Sequence, residues 1–249
     1  MSFVDKLDRT SQKNNSLLCV GLDVDLSKLD KSTSIFDFNR KIIDATSDFV
    51  CAFKPNSAFY EMYGTKGIEA LAQTIEYIQQ KDIPVILDAK RGDIGNSSTA
   101  YAKAAFEFLK ADAITVVPYM GEDSIKPFLD YKDKGVFILC LTSNPGSKDF
   151  QTQNDLYKQV AQKAVKWNKN NNCCLVVGAT KPEQLKEIRN IARDMLILIP
   201  GIGAQGGDLG KVIKTGGKRI IINSSRSIIY SPDPKAAAQK LRDEINNVL

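Results

Sequence analysis

The stretch VILDAKRGDIGNSS, residues 85–98, is a short apolar run that leads directly into alternating charges. Val85 to Leu87 have the composition of a buried strand, and Asp88, Lys90 and Asp93 follow at once. Nearly continuous apolar runs are typical of parallel strands that are buried on both faces. The fold therefore depends on how often such runs recur and on what lies between them.

Eight runs of this kind recur along the chain at roughly 30-residue spacing, which is the length of one strand–helix unit. Each is rich in Val, Ile or Leu, and most end in a polar or small residue. They are LLCVGLD (17–23), FVCAFKP (49–55), IPVILDAK (83–90), AITVVP (113–118), GVFILCLT (135–142), CCLVVG (173–178), MLILIP (195–200) and RIIINS (219–224).

Amphipathic segments of helical length separate these runs, and a further one, FVDKLDRTSQKN (3–14), precedes the first strand. Examples are GIEALAQTIEYIQQK (67–81) and KPEQLKEIRNIARD (181–194). Alternating strands and helices predict an α/β fold with a parallel sheet. The number of units and the chain length favour a (β/α)8 TIM barrel over a doubly wound open sheet. No linker divides the chain, so residues 1–249 are predicted to form one domain.

Composition excludes several classes of function. The chain has 249 residues, a formal net charge of +5 and no histidine, so histidine-based triads and metal sites are excluded. Basic and acidic residues are well mixed, which does not predict nucleic-acid binding. The charged N-terminus and the lack of a long apolar run predict neither a signal peptide nor a membrane span. Five cysteines, none in a CxxC motif, predict reduced thiols in a cytoplasmic protein.

Charged side chains end the first three predicted strands. In a barrel the active site lies where the strands end, and side chains alternate between the two faces of each strand. Asp88 and Lys90 should therefore point inward with Ile86, beside Asp23 and Lys54 from the neighbouring strands. A plain salt bridge at the barrel mouth is the alternative. A buried network of four ions is costly unless it is used, which favours a catalytic site.

A glycine-rich segment, PGIGAQGGDLG (200–210), follows the seventh strand. Glycines allow close backbone approach to a ligand, and loops after strands 7 and 8 commonly bind phosphate in such barrels. Gln205 is a candidate amide donor, and Arg226, after the eighth strand, is a candidate cationic partner. An ordinary flexible loop is the alternative.

Several motifs together resemble the orotidine 5′-monophosphate decarboxylase family over essentially the whole chain. Asp88-Ala-Lys90-Arg-Gly-Asp93-Ile94 is similar to that family's DxKxxDI signature. The other similar motifs are Leu22-Asp23-Val24, Phe53-Lys54-Pro55-Asn56, Thr142-Ser143-Asn144-Pro145-Gly146 and PGIGAQGGD (200–208) with Ser225-Arg226. The resemblance implies a TIM-barrel homodimer that converts orotidine monophosphate (OMP) to uridine monophosphate (UMP) and CO₂ without a metal or cofactor.

The resemblance also implies a role for each matching residue. Lys90 would protonate C6 of the pyrimidine, Asp88 would lie beside the departing carboxylate, and Lys54 would hold the charge network. Asp23 and Asn56 would bind near the ribose, and Ser143 would bind the pyrimidine. The implied phosphate residues are Pro200, Gln205, Ser225 and Arg226, with the loop 203–210 as a lid. Asp93, Ile94 and Ser97 would enter the site of the neighbouring subunit.

Two other functions remain open from the sequence. Related Mg²⁺-dependent sugar-phosphate decarboxylases or aldolases share a similar DxKxxD barrel, but they carry an acidic residue where this chain has Lys54. A non-catalytic nucleotide-binding barrel is the second alternative. The small-molecule partner expected from the resemblance is a nucleotide, and no nucleic acid or membrane partner is expected.

Overall fold

The eight apolar runs form eight parallel strands in a computed structural model of the chain, so the predicted TIM barrel is confirmed. The structure describes residues 1–202 and 208–249. The strands are β1 (Leu18–Gly21), β2 (Ala52–Lys54), β3 (Ile86–Arg91), β4 (Ala113–Val116), β5 (Gly135–Leu141), β6 (Cys173–Val177), β7 (Ile197–Pro200) and β8 (Ile220–Ser224).

The strands pair in the order β2-β1-β8-β7-β6-β5-β4-β3, and isolated bridges between β2 and β3 close the ring. One bridge joins Phe53 to Val85, and the other joins Asn56 to Asp88. The Asp88 N–H donates to the carbonyl of Pro55 at 2.9 Å. Closure therefore places the end of β2 directly beside the acidic residue of β3.

Helices lie between successive strands, as the amphipathic segments predict. They are α1 (Phe3–Asn14), α2 (Ile35–Thr46), α3 (Ala58–Glu61), α4 (Gly64–Gln80), α5 (Gly95–Lys103), α6 (Glu122–Leu129), α7 (Ser147–Phe150), α8 (Leu156–Trp167), α9 (Pro182–Ala192), α10 (Leu209–Gly216), α11 (Arg226–Ile229) and α12 (Pro234–Asn246). No helix in the described part of the chain is both long enough and apolar enough to cross a membrane.

Local sequence explains where several helices begin. The side chains of Ser34, Asp208 and Asp233 each accept a backbone N–H of the helix that follows, which satisfies donors left free in the first turn. The polar residues 96–98, Asn-Ser-Ser, predict a helix cap by their composition, but they lie inside α5 instead. Gly95 has a φ of +55°, so the chain turns into the helix earlier than its polar residues indicate.

The barrel has two apolar cores, a large one between the strands and the helices and a smaller one inside the ring of strands. Side chains that point outward, such as Val85 and Leu87, pack with the helices, whereas Ile86 belongs to a smaller cluster inside the barrel. Helix α1 covers the end of the barrel opposite the carboxyl ends of the strands. Its Phe3 ring meets Phe137 edge-on, with ring centroids 5.7 Å apart. The interior of the barrel is therefore filled at the amino ends of the strands and remains open at their carboxyl ends.

Candidate functional site

A cavity of about 460 Å³ opens at the carboxyl ends of the strands. Most of the predicted site residues line it, and they come from distant parts of the chain. The lining members of the predicted set are Asp23, Lys54, Asn56, Asp88, Lys90, Ser143, Pro200, Ser225 and Arg226. The barrel topology alone brings these residues together, because parallel strands all end at the same rim.

Three of the four residues of the predicted charge network are in contact around Asp88, whereas Asp23 forms no ion pair among the described residues. Lys54 Nζ donates to Asp88 Oδ2 at 2.9 Å, and Lys90 Nζ donates to Asp88 Oδ1 at 2.7 Å. Lys54 and Asp88 are 3% and 8% exposed, whereas the side chain of Lys90 is 46% exposed. The network thus joins a buried ion pair to an ammonium group that faces the cavity.

The network controls the ionisation of its buried members. Burial alone raises the pKa of the Asp88 carboxyl, but the charges of Lys54 and Lys90 outweigh it and hold the pKa below the usual range. Burial also lowers the pKa of Lys54, and the charges of Asp88 and Asp23 reverse that effect and raise it. Asp88 and Lys54 are therefore both charged at neutral pH.

A buried threonine of β4 completes the set of hydrogen bonds to Asp88. Thr115 Oγ1 donates to Asp88 Oδ1 at 2.9 Å and accepts the backbone N–H of Lys90 at the same distance. The pairing of β3 with β4 shifts register between Leu87 and Arg91, and Lys90 has a φ of +47°. Lys90 nevertheless lines the cavity, as alternation along β3 predicts, and Ala89 packs with the outer core.

Two tyrosine hydroxyl groups fix the backbone on either side of Asp23. Tyr60 donates to the carbonyl of Leu22 at 3.0 Å. The Tyr230 hydroxyl accepts the N–H of Asp25 at 2.7 Å and lies 3.4 Å from the carbonyl of Asp23. Asp23 Oδ1 is buried and has no hydrogen-bond partner among the described residues. This carboxylate oxygen is thus held at the cavity wall with its acceptor capacity unused.

The opposite side of the cavity is mainly apolar. Leu139, Val176 and Leu198, from β5, β6 and β7, line it. Gly178 follows β6, and a β-carbon there would lie 2.3 Å from Ser143 Oγ. The glycine therefore allows the loop after β5 to bring Ser143 to the cavity edge. The cavity as a whole has one charged wall and one apolar wall.

Part of the predicted phosphate region is described. Pro200, Ser225 and Arg226 lie together at the ends of β7 and β8, and the Ser225 hydroxyl donates to the carbonyl of Gly21 at 3.0 Å. Helix α10 begins after Asp208, whose side chain caps it. Gln205 and most of the predicted lid, residues 203–207, lie outside the described residues.

Asp93, Ile94 and Ser97 do not line the cavity of their own chain. Asp93 Oδ1 accepts the N–H of Ile94 at 2.8 Å, and the Ile94 side chain is 56% exposed. All three residues lie between the end of β3 and the first turn of α5, outside the cavity lining.

Thr115 and Asn223 are among the polar cavity residues that the sequence did not indicate as site residues. Thr115 and Asn223 line the charged side and the floor, and Asn223 Oδ1 is buried without a partner among the described residues. Each residue interrupts an apolar run. Thr115 lies two positions after Ala113, and Asn223 lies two positions after Ile221, so each shares the inward face of its strand with an apolar residue. Isolated polar residues on the inner face of a strand were therefore the available signal.

Within the part of the chain that the structure describes, no group of three or more His, Cys, Asp or Glu side chains is arranged to hold a metal ion. The five cysteines are buried and free. Burial raises the pKa of the Cys19 thiol, which lies nearest the charge network, to about 12. Cys19 is thus a protonated core residue and is not a nucleophile.

Comparisons with known proteins agree with the fold and the motifs. The family model described as Orotidine 5'-phosphate decarboxylase / HUMPS family matches residues 16–241. A curated orotidine 5'-phosphate decarboxylase of Dehalococcoides mccartyi is 48% identical and aligns over 99% of this chain and 98% of that protein.

Solved structures give the same result. The OMP decarboxylase of Leishmania donovani is 42% identical, with a TM-score of 0.90, and the match covers 100% of this chain and 98% of that one. The UMP synthase of the same organism is 44% identical, with a TM-score of 0.92, and this chain spans 56% of its length. The chain belongs to the Orotidine 5'-phosphate decarboxylase / HUMPS family.

Proposed function

We propose that this chain decarboxylates orotidine 5′-monophosphate to uridine 5′-monophosphate and CO₂. The observation that carries the proposal is the Lys54–Asp88–Lys90 network, which forms the charged wall of a cavity whose opposite wall is mainly apolar. Curated relatives that are nearly half identical over their full length bear the same activity in their names.

The reaction is difficult because the electrons of the broken bond have no adjacent carbonyl to accept them. As the bond between C6 and the carboxylate breaks, CO₂ leaves and the electron pair stays on C6. The Lys90 ammonium stabilises that charge and then delivers a proton to C6, after which the lysine regains a proton from water. A fixed cation at the site of charge development is the most direct form of electrostatic catalysis.

The other members of the network support this step. Lys54 and Thr115 hold the Asp88 carboxylate, and Asp88 holds Lys90 at 2.7 Å. Asp88 would lie beside the substrate carboxylate, so their repulsion would be relieved as CO₂ departs.

The remaining cavity residues would bind the nucleotide. Asp23 and Asn56 lie on the β1 and β2 side, where the ribose would sit, and the Asp23 carboxylate can accept from a hydroxyl group. Ser143 lies at the mouth of β5, where it would bind the pyrimidine. Pro200, Ser225 and Arg226, with Gln205, would bind the phosphate, because the guanidinium supplies a charge-assisted fork.

A homodimer with shared sites is part of the proposal. Asp93, Ile94 and Ser97 do not line their own cavity, and exposed apolar residues occur in the segments that follow β2, β3 and β4 at the same end of the barrel. We take these residues as one candidate patch, which consists of Met62, Ile94, Tyr101, Tyr119 and Met120, with Tyr119 83% exposed. Exposed apolar patches of this kind mark interaction surfaces. Residues of the patch would place Asp93 in the partner's site.

The proposed activity is tested by incubating the protein, in excess chelator, with OMP and separately with keto-sugar phosphates. The absorbance change of the pyrimidine ring follows the first reaction. We expect turnover of OMP alone, because Lys54 places an ammonium where a metal-binding relative needs a carboxylate. Turnover of a sugar phosphate that returns when Mg²⁺ is restored would refute the proposal in favour of the aldolase alternative.

Shared sites are tested by mixing two inactive variants, Lys90→Ala and Asp93→Ala. Hybrid dimers contain one site with both native residues, so part of the activity should return. Failure to recover activity, while labelled subunits demonstrably exchange, would contradict the shared site.

A cytoplasmic location is also proposed, because the five buried thiols suit a reducing compartment.

A further inference from the structure

The backbone of Lys90 has a conformation that a lysine rarely adopts. Its φ of +47° lies in the left-handed region, where the β-carbon of any residue other than glycine crowds its own backbone. The register of β3 against β4 shifts across the same residues. Such a conformation persists only where the surrounding structure holds it, and it is common at functional sites.

One hydroxyl group contacts this backbone and the Asp88 carboxylate together. Thr115 Oγ1 accepts the Lys90 N–H at 2.9 Å and lies 2.9 Å from Asp88 Oδ1. An amide can only donate and an ionised carboxylate can only accept, so the direction of both hydrogen bonds is fixed. The threonine hydroxyl thus donates its single proton to Asp88.

Thr115 is well suited to hold both groups rigidly. It is 1% exposed and belongs to β4, a regular strand paired to β5 at Thr115–Phe137. A β-branched side chain also has few accessible rotamers on a strand. The rigid hydroxyl group therefore fixes the distance between the Lys90 backbone and the Asp88 carboxylate oxygen.

We propose that Thr115 is a positioning residue for the decarboxylation, which holds Lys90 in its left-handed conformation and orients the Asp88 carboxylate that binds the Lys90 ammonium. The inference rests on the proposed function and adds to it a residue of β4. Thr115 acts through Lys90 and Asp88 and is assigned no contact with the substrate.

Two substitutions separate the hydroxyl from the volume of the side chain. Thr115→Val keeps the shape and removes both hydrogen bonds, and Thr115→Ser keeps the hydroxyl and removes a methyl group. Thr46→Val is the matched control, because Thr46 is fully buried and donates to the carbonyl of Ile42, within helix α2.

Because a displacement of about 1 Å at a catalytic group can cost about 100-fold in rate, we expect Thr115→Val to lower kcat about 10- to 100-fold. KM for OMP and Kd for UMP should stay within about threefold, since uniform binding is not removed. Thr115→Ser and Thr46→Val should keep most of the wild-type kcat. An unchanged kcat in Thr115→Val, or an equal loss in Thr115→Ser, would overturn the proposal.

Amide hydrogen exchange at Lys90 gives a readout that does not depend on the substrate. The Lys90 N–H should exchange faster in Thr115→Val than in wild type, Thr115→Ser or Thr46→Val, because its acceptor is gone. If wild-type protein fails to convert OMP, the proposed function is refuted. The positioning role of Thr115 still stands in that case, provided that the Lys90 N–H exchanges faster in Thr115→Val than in the other three proteins. Unchanged exchange in Thr115→Val would refute the positioning role, whatever the activity.

Discussion

Replacing Lys54 by methionine removes a buried charge and leaves its partner in place. Lys54 Nζ lies 2.9 Å from Asp88 Oδ2, and the lysine is 3% exposed. At an effective dielectric constant near 20, two unit charges at that separation attract by about 6 kcal/mol. The cost of desolvating both ions offsets much of this attraction. Removal of one partner of a buried pair costs about 3–5 kcal/mol when the remaining charge loses its buried counter-ion, and Asp88 would keep only the half-exposed Lys90 ammonium.

We therefore expect Lys54→Met to lose about 3–5 kcal/mol of unfolding free energy at pH 7. In a chain of this length each kcal/mol lowers Tm by about 2–4 °C, so the loss is readily measured by thermal and urea unfolding. Asp88→Asn and the double variant complete a mutant cycle. Their coupling energy should be about 2–3 kcal/mol, since the two side chains are in direct contact.

The pH dependence of the unfolding free energy provides an independent check that Lys54 stabilises the folded protein through the charge of Asp88. The lowered pKa of Asp88 in the folded protein means that its stabilising effect is present above the unfolded pKa and is lost as pH falls through the folded pKa. In Lys54→Met the Asp88 pKa should be higher, so protonation relieves the penalty earlier. The stability gap between the two proteins should narrow as pH falls through the Asp88 pKa of the variant toward the lower Asp88 pKa of wild type. A loss below about 1 kcal/mol, or a gap independent of pH, would refute this reasoning.

Three further substitutions test other parts of the site and fold. Gly178→Ala should raise KM for OMP about tenfold or more, measured by initial rates, because the new methyl group would displace Ser143, whose Oγ lies 2.3 Å from that position. Tyr60→Phe should raise KM and cost about 1–3 kcal/mol of stability, because a buried carbonyl beside Asp23 loses its donor; unchanged kinetics would contradict this. Phe3→Ala should cost about 3–5 kcal/mol on unfolding yet leave kcat/KM at 25 °C unchanged, since Phe3 fills the closed end of the barrel.

The strands were predictable because a parallel barrel buries both faces of every strand, and continuous apolar runs are rare elsewhere. The inward placement of Asp88 and Lys90 followed from alternation along β3, because Ala89 between them packs outward and both charged side chains line the cavity. The conformation of Lys90 did not follow, because it depends on a hydroxyl group of β4 that is distant in sequence. The composition of the sequence around Lys90 does not indicate a contact with a residue so far away in the chain.

The same limit explains why Thr115 was missed and why the start of α5 was misplaced. One threonine within AITVVP is compatible with any buried strand, because threonine favours strands and is small enough for a core. The polar residues 96–98 have the composition of a helix cap, but the chain enters the helix at Gly95 through a positive φ. In both cases the tertiary contact or the backbone turn decided the outcome.

The rate of CO₂ release from OMP by Lys90→Ala, compared with wild type in the presence of chelator, tests the central claim most directly. Lys90 is assigned both the stabilisation of the C6 charge and the transfer of the proton, so its loss should lower kcat by at least about 1000-fold. UMP should still bind the variant, because the phosphate and ribose residues are intact. Release within about tenfold of the wild-type rate by a folded, UMP-binding Lys90→Ala protein would contradict the account.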